Sequence, residues 1–146
     1  MSISLYKTVR WVGVKNAYSK HVIEHVLTYE KTPFADVSLH VVGMKRIRTL
    51  NKRFRGIDAP TDVLSFSAQE GIPVSIDASA SDIGDVFVCP LYIKSQAQRF
   101  GVAYKEEYTR MLVHGLLHLL GYDHDITKKA KRMFSRQEQL VTKVLS

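Results

Sequence analysis

The stretch from residue 105 to residue 120 constrains the fold more than any other part of this sequence. Tyr108, Met111, Leu112, Val113, Leu116, Leu117, Leu119 and Leu120 would cover most of a helix's circumference there. A surface helix needs one apolar stripe, so this pattern predicts a central helix with neighbours on several sides. Two histidines, His114 and His118, interrupt the apolar wall one helical turn apart. Imidazoles left without partners in such surroundings are costly to bury. At this spacing both rings project from one side of the helix and can reach a single ion at about 2.0–2.1 Å.

The residues that follow supply a third ligand. Gly121, just past the helix, can take the left-handed conformation that reverses the chain, and His124 can then swing back toward the first two histidines. The full pattern is HGLLHLLGYDH, residues 114 to 124. Three neutral ligands leave a zinc ion, one per chain, with its full charge and an open position, which is the arrangement of a catalytic rather than a structural site. Water on such an ion ionises near neutral pH. The spacing matches that of metzincin peptidases, but those carry a glutamate base after the first histidine, where this chain has Gly115. Peptide hydrolysis by that route is disfavoured. Asp123 and Asp125 flank the third histidine and could orient a ligand ring, although helix capping accounts for Asp125 equally well.

The rest of the chain alternates short strands and helices, with no repeat or linker that would divide it. Residues 2 to 6 predict a strand. Asn16 is placed to cap a helix running to about residue 31, with Tyr18, Val22, Val26 and Tyr29 on one face. Val37, Leu39 and Val41 alternate as in a strand, and His40, on the opposite face, reads as exposed. A basic helix follows, with Met44, Ile47, Leu50 and Phe54 as its inward stripe. Residues 63 to 66 and 85 to 88 predict two more strands, separated by a polar loop or irregular hairpin at 67 to 83. Pro90 opens a helix to Phe100, closed by Gly101. A last helix, capped by Asp125 or Thr127, is expected to bury Ala130, Met133, Phe134, Leu140, Val141 and Val144.

Charge narrows the class of partner. Lysine and arginine exceed acids by seven, and residues 44 to 55 carry six basic side chains with no acid. Residues 128 to 136 carry five more. Such runs suit a polyanion, and they equally suit solvated helix faces. The single cysteine, Cys89, cannot form an intrachain disulfide and reads as a small apolar residue. The N-terminus has no signal-peptide pattern, and no apolar run approaches bilayer length, so a cytoplasmic protein is expected. His21 and His25 also stand one turn apart, but they have no third ligand nearby.

Taken together, HGLLHLLGYDH, NKRFRGIDAPTDVLSF (residues 51 to 66) and GDVFVC (residues 84 to 89) resemble the bacterial YbeY endoribonucleases along the whole chain. The resemblance implies a single zincin-like α+β domain spanning residues 1 to 146. Its small mixed sheet of about four strands would be packed by about five helices around a central metal-binding helix. It further implies metal-dependent cleavage of single-stranded RNA, in 16S rRNA 3′-end maturation and ribosome quality control, with the ribosomal small subunit and its assembly factors as partners. On this view His114, His118 and His124 hold the metal, and His114 and Arg55 are the catalytic pair. Arg55 would neutralise charge on the phosphorus while Lys45, Arg46, Arg48, Lys52 and Arg53 hold the flanking backbone. Thr61 and Asp62 match the family's TD pair and would shape the strand edge beside the cleft. Ser67 stands where a proline is common, and Arg110 is a cation that the motif does not require. Two other functions fit the residues: a ribosome-binding module with a structural metal, and a zinc peptidase with a different base.

Overall fold

The computed structural model describes residues 1–68 and 81–146. Among these, four strands form one sheet: β1 (Ser2–Lys7), β2 (Asp36–Val41), β3 (Val63–Ser67) and β4 (Asp82–Val88). Five helices accompany them: α1 (Asn16–Tyr29), α2 (Met44–Arg55), α3 (Pro90–Phe100), α4 (Tyr104–Leu119) and α5 (Thr127–Leu145). The strand order is β1-β2-β4-β3, parallel except for the antiparallel pair of β3 with β4, which leaves β3 at an edge. The expected α+β class with a small mixed sheet is what the chain adopts. Most of the loop expected at 67 to 83 lies outside the described residues.

Alternation along the strands divides the apolar side chains between two faces. Val37, Leu39, Val41, Val86 and Val88 point to one side, against α1, α4 and α5. Leu64, Phe66 and Phe87 point to the other, where Ile47 and Leu50 of α2 close a smaller cluster. The central helix expected from its all-round apolarity is α4: Tyr108, Leu112, Val113, Leu116 and Leu117 have no exposure to solvent. Burial of each such side chain contributes about 1.5–3 kcal/mol, so α4 is firmly fixed between the sheet and its helical neighbours.

Several local expectations are corrected. Asn16 is the first residue of α1 and does not cap it; Lys15 takes the cap position, with no side-chain bond. Neither Asp125 nor Thr127 caps α5, which starts after Ile126. Met44, at the first turn of α2, is 39% exposed, because the inward stripe begins only at Ile47. Phe54 is half-buried, stacked edge-on against Phe66. His40 is not a surface histidine. It stacks on Phe87 and on Tyr6, and its Nε2 lies 2.8 Å from the carboxylate of buried Asp85. The two strands place these groups side by side, and strand alternation alone could not reveal that the second face is also covered.

Candidate metal centre

The geometry of the histidines follows from α4 and the turn after it. His114 and His118 sit on one side of α4 with ring centroids 4.7 Å apart. The helix ends at Leu119, and Gly121 at φ 96° reverses the chain; a side chain in that left-handed region would be strained. The reversal brings the His124 ring to 5.0 Å from that of His118 and 5.9 Å from that of His114. One ligand atom from each ring lies within 4.8 Å of the others. Tetrahedral zinc with bonds of 2.0–2.1 Å needs separations of about 3.4 Å, so small ring rotations suffice. No other described residues bring three such side chains together, His21 and His25 included.

The two donors on α4 are also in the right protonation state. Burial lowers the His114 pKa, and it lowers that of His118 to about 4, helped by the neighbouring imidazoles. Both rings are therefore neutral at pH 7, with lone pairs available. The donor set fits a single borderline transition metal ion with coordination positions to spare.

A partner that the sequence did not disclose fixes the orientation of His114. Gln137, buried on α5, places its Oε1 2.7 Å from His114 Nδ1. Its Nε2 donates to Glu138 Oε2 at 3.2 Å, which settles the direction of the amide. The oxygen faces the ring, so Nδ1 carries the proton and Nε2 is left to bind an ion. Glu138 is held in turn by Arg110, whose Nε lies 3.0 Å from Oε2. Arg110 also donates to buried Glu107 at 2.8 Å. Gln96 donates to the other Glu107 oxygen at 2.8 Å and to Asp62 Oδ2 at 3.1 Å. Arg110, unexplained by the motif, also pairs with Glu106 at 3.3 Å and is thus the counter-charge for three carboxylates, Glu106, Glu107 and Glu138. Asp62 closes the far end of the network and also accepts from Thr61 Oγ1 and the Val63 backbone N–H at the start of β3. Asp123 instead accepts from the His124 backbone N–H, and Asp125 lies 3.9 Å from Lys129. Neither is bonded to a histidine ring. Gln137→Leu, nearly isosteric, is expected to weaken zinc binding 10- to 100-fold in competition with a chelating indicator. Unchanged affinity would show that the amide does not set the ring.

Gly115 has a packing role. A Cβ there would lie 2.9 Å from Val86 Cγ1, 3.0 Å from Ser65 Oγ and 3.0 Å from Val63 Cγ2. The backbone of α4 rests directly on β3 and β4, and Ser65 Oγ donates to the Gly115 carbonyl at 2.8 Å. A glutamate at this position would have to push its carboxylate into the sheet.

The histidines open into a cavity of about 350 Å³, lined also by Arg55, Ser65 and Ser67. Arg55 is the last residue of α2, its guanidinium 4.8 Å from the Phe66 ring centroid and its NH2 donating to the Ser65 carbonyl at 2.7 Å. Gly56 ends the helix beyond it. The other basic residues of α2 are placed differently. Lys45, Arg48, Lys52 and Arg53 line a separate, shallow concavity, where Arg48 and Lys52 share Asp58 at 2.8 and 3.8 Å. Arg46 is exposed on the same helix.

A family model described as endoribonuclease YbeY matches residues 9–145. The chain belongs to the YbeY family. A relative named endoribonuclease YbeY from Sulfurihydrogenibium sp. is 37% identical over 97% of this chain and 91% of its own length. Another of that name from Persephonella marina is 36% identical, covering 92% of this chain and 86% of the relative. Among solved structures, TM1509 from Thermotoga maritima superposes with a TM-score of 0.66 at 32% identity, over 97% of this chain and 88% of that one. The YbeY match therefore embraces all three histidines, Arg55 and the Thr61–Asp62 pair.

Proposed function

We propose that the chain is a zinc-dependent endoribonuclease that cleaves single-stranded RNA in the cavity shared by His114, His118, His124 and Arg55. The observation that carries this reading is the shared cavity itself, which three candidate metal ligands line together with a permanently charged guanidinium. A phosphodiester brings negative charge that has to be neutralised, whereas a peptide carbonyl brings none. When bound, the ion supplies Lewis acidity toward a phosphate oxygen and lowers the pKa of water. His114, His118 and His124 would hold it through ring nitrogens, with Gln137 keeping His114 in the competent tautomer. Arg55 would receive a non-bridging phosphate oxygen, its side chain braced by Phe66 and the Ser65 carbonyl.

The family and its relatives' names support RNA as substrate, and the peptidase alternative loses ground on two local facts. Gly115 is packed against the sheet, so no base can stand there. The edge strand β3, which could otherwise pair with a peptide, has its Ser65 carbonyl engaged by Arg55. Lys45, Arg46, Arg48, Lys52 and Arg53 form an outlying contact with RNA backbone. Action on the 16S rRNA 3′ end, beside the small subunit and its assembly factors, rests on the family resemblance. A cytoplasmic site of action accords with it, and no helix among the described residues is long and apolar enough to cross a membrane. The test is metal removal. Exhaustive chelation should abolish cleavage of a single-stranded RNA, and one equivalent of zinc should restore it. Undiminished cleavage by the metal-free protein would overturn the reading.

A further inference from the structure

We infer that Phe134, with Ile126, forms a stacking subsite for an unpaired base of the RNA, next to the metal centre; this rests on the endoribonuclease reading. Phe134 belongs to the apolar series along α5, yet it is 62% exposed, and Ile126 just before that helix is 53% exposed. The buried stripe of α5 runs through Met133, Gln137, Leu140, Val141 and Val144. Phe134, one residue past Met133, is rotated out of it. An isolated exposed aromatic would be unremarkable. Phe134 and Ile126 are not isolated, because they line one concavity together with Ala130, Lys131 and His124.

His124 is the link. His124 lines both the metal cavity and this concavity, so the two adjoin at a single residue. A strand whose phosphate sits between the metal site and Arg55 therefore has an adjoining nucleotide within reach of Phe134. That nucleotide offers a flat π face for the phenyl ring and a phosphate for the Lys131 ammonium. Lys128 and Lys129 add positive charge on the same turn of α5. Asp125, also in the concavity, lies 3.9 Å from Lys129, which offsets its charge. An apolar pair rimmed by lysines is the composition with which proteins hold single strands, where aromatic rings stack bases and cations follow the backbone. A base still paired in a duplex could not present its face here, so the subsite would also favour single strands over duplexes.

The experiment measures equilibrium binding of a short, unstructured, fluorescein-labelled RNA by anisotropy, using the chelated 146-residue chain so that cleavage does not interfere. Phe134→Ala should weaken binding roughly 5- to 100-fold, the range for loss of one base–aromatic stack. Phe134→Trp should bind at least as well as the wild type, a rescue that a merely structural role would not give. Removing single bases in turn should reveal one abasic position that weakens the wild type by a similar factor and does not weaken Phe134→Ala further. Binding by Phe134→Ala within twofold of the wild type would overturn the subsite and leave the exposed pair as a protein contact; so would abasic effects that add to the mutation at every position. Cleavage of the same RNA by the zinc-loaded wild type is scored separately, so failure of the nuclease reading is distinguishable from failure of the subsite.

Discussion

Replacing His118 by alanine is expected to lower zinc affinity about 100- to 1,000-fold and to reduce RNA cleavage to background. Apparent binding free energies for structural zinc in four-ligand zinc-finger peptides run to about 10–16 kcal/mol, so one ligand is worth about 2.5–4 kcal/mol, and 4.1 kcal/mol is a factor of 1,000. His118 is the decisive member of the set. It lies between the other two rings at 4.7 and 5.0 Å and is buried deeply enough to stay neutral down to about pH 4. His124 is exposed and comes from the turn after α4, so it can adjust its position. Alanine also suits a helix interior, so the fold should survive the change. Metal content after dialysis, thermal unfolding of the metal-free forms and cleavage rate separate the possibilities. If the variant kept one tightly held ion per chain, the ion would have to lie outside this triad.

The triad and its helix were legible in the sequence because both depend on local rules. All-round apolarity between residues 105 and 120 implies a central helix wherever the remaining elements lie, and a four-residue spacing fixes ring proximity without tertiary information. Gly121 belongs to the same class, since the chain reversal needs only a residue that tolerates positive φ. What stayed hidden depends on contacts between distant segments. Gln137 interrupts the apolar stripe of α5 and would pass for a surface residue, yet it is buried because His114, 23 positions earlier, requires an acceptor there. Arg110 pairs with Glu106 and Glu107 on its own helix, but its third partner, Glu138, comes from α5, 28 positions later. Phe134 shows the converse error. Hydrophobicity placed it in the core, but the buried side of α5 runs through Met133, Gln137, Leu140, Val141 and Val144 at helical spacing, and Phe134 lies off that line. The joint use of Arg55 and the histidines was likewise invisible to spacing, because α2 and α4 are separated by the whole of β3 and β4; only the family resemblance linked them.

Arg55→Glu should leave zinc binding unchanged and lower kcat/KM for RNA roughly 100- to 1,000-fold, the loss typical of removing one donor that stabilises transition-state charge. Arg55 lines the same cavity as the three imidazoles but is not one of the ligands, so the ligand set is preserved. Among its contacts are the Phe66 ring and the Ser65 carbonyl on the edge strand. Both use features of arginine that lysine lacks, namely a planar cation that stacks and a fork that can bond to the protein and the phosphate at once. Arg55→Lys should therefore recover only part of the activity, by restoring charge without the fork. This graded pattern also distinguishes a clamp at the reacting phosphate from a general electrostatic attraction. Loss of general attraction would raise KM alone, would be repaired fully by lysine, and would be matched by charge reversal at Lys45 or Arg53 on the separate basic concavity. A clamp on the transition state lowers kcat, tolerates lysine poorly, and has no equivalent along the rest of α2. Normal turnover by Arg55→Glu, with zinc bound, would leave the metal centre intact and remove Arg55 from the chemistry.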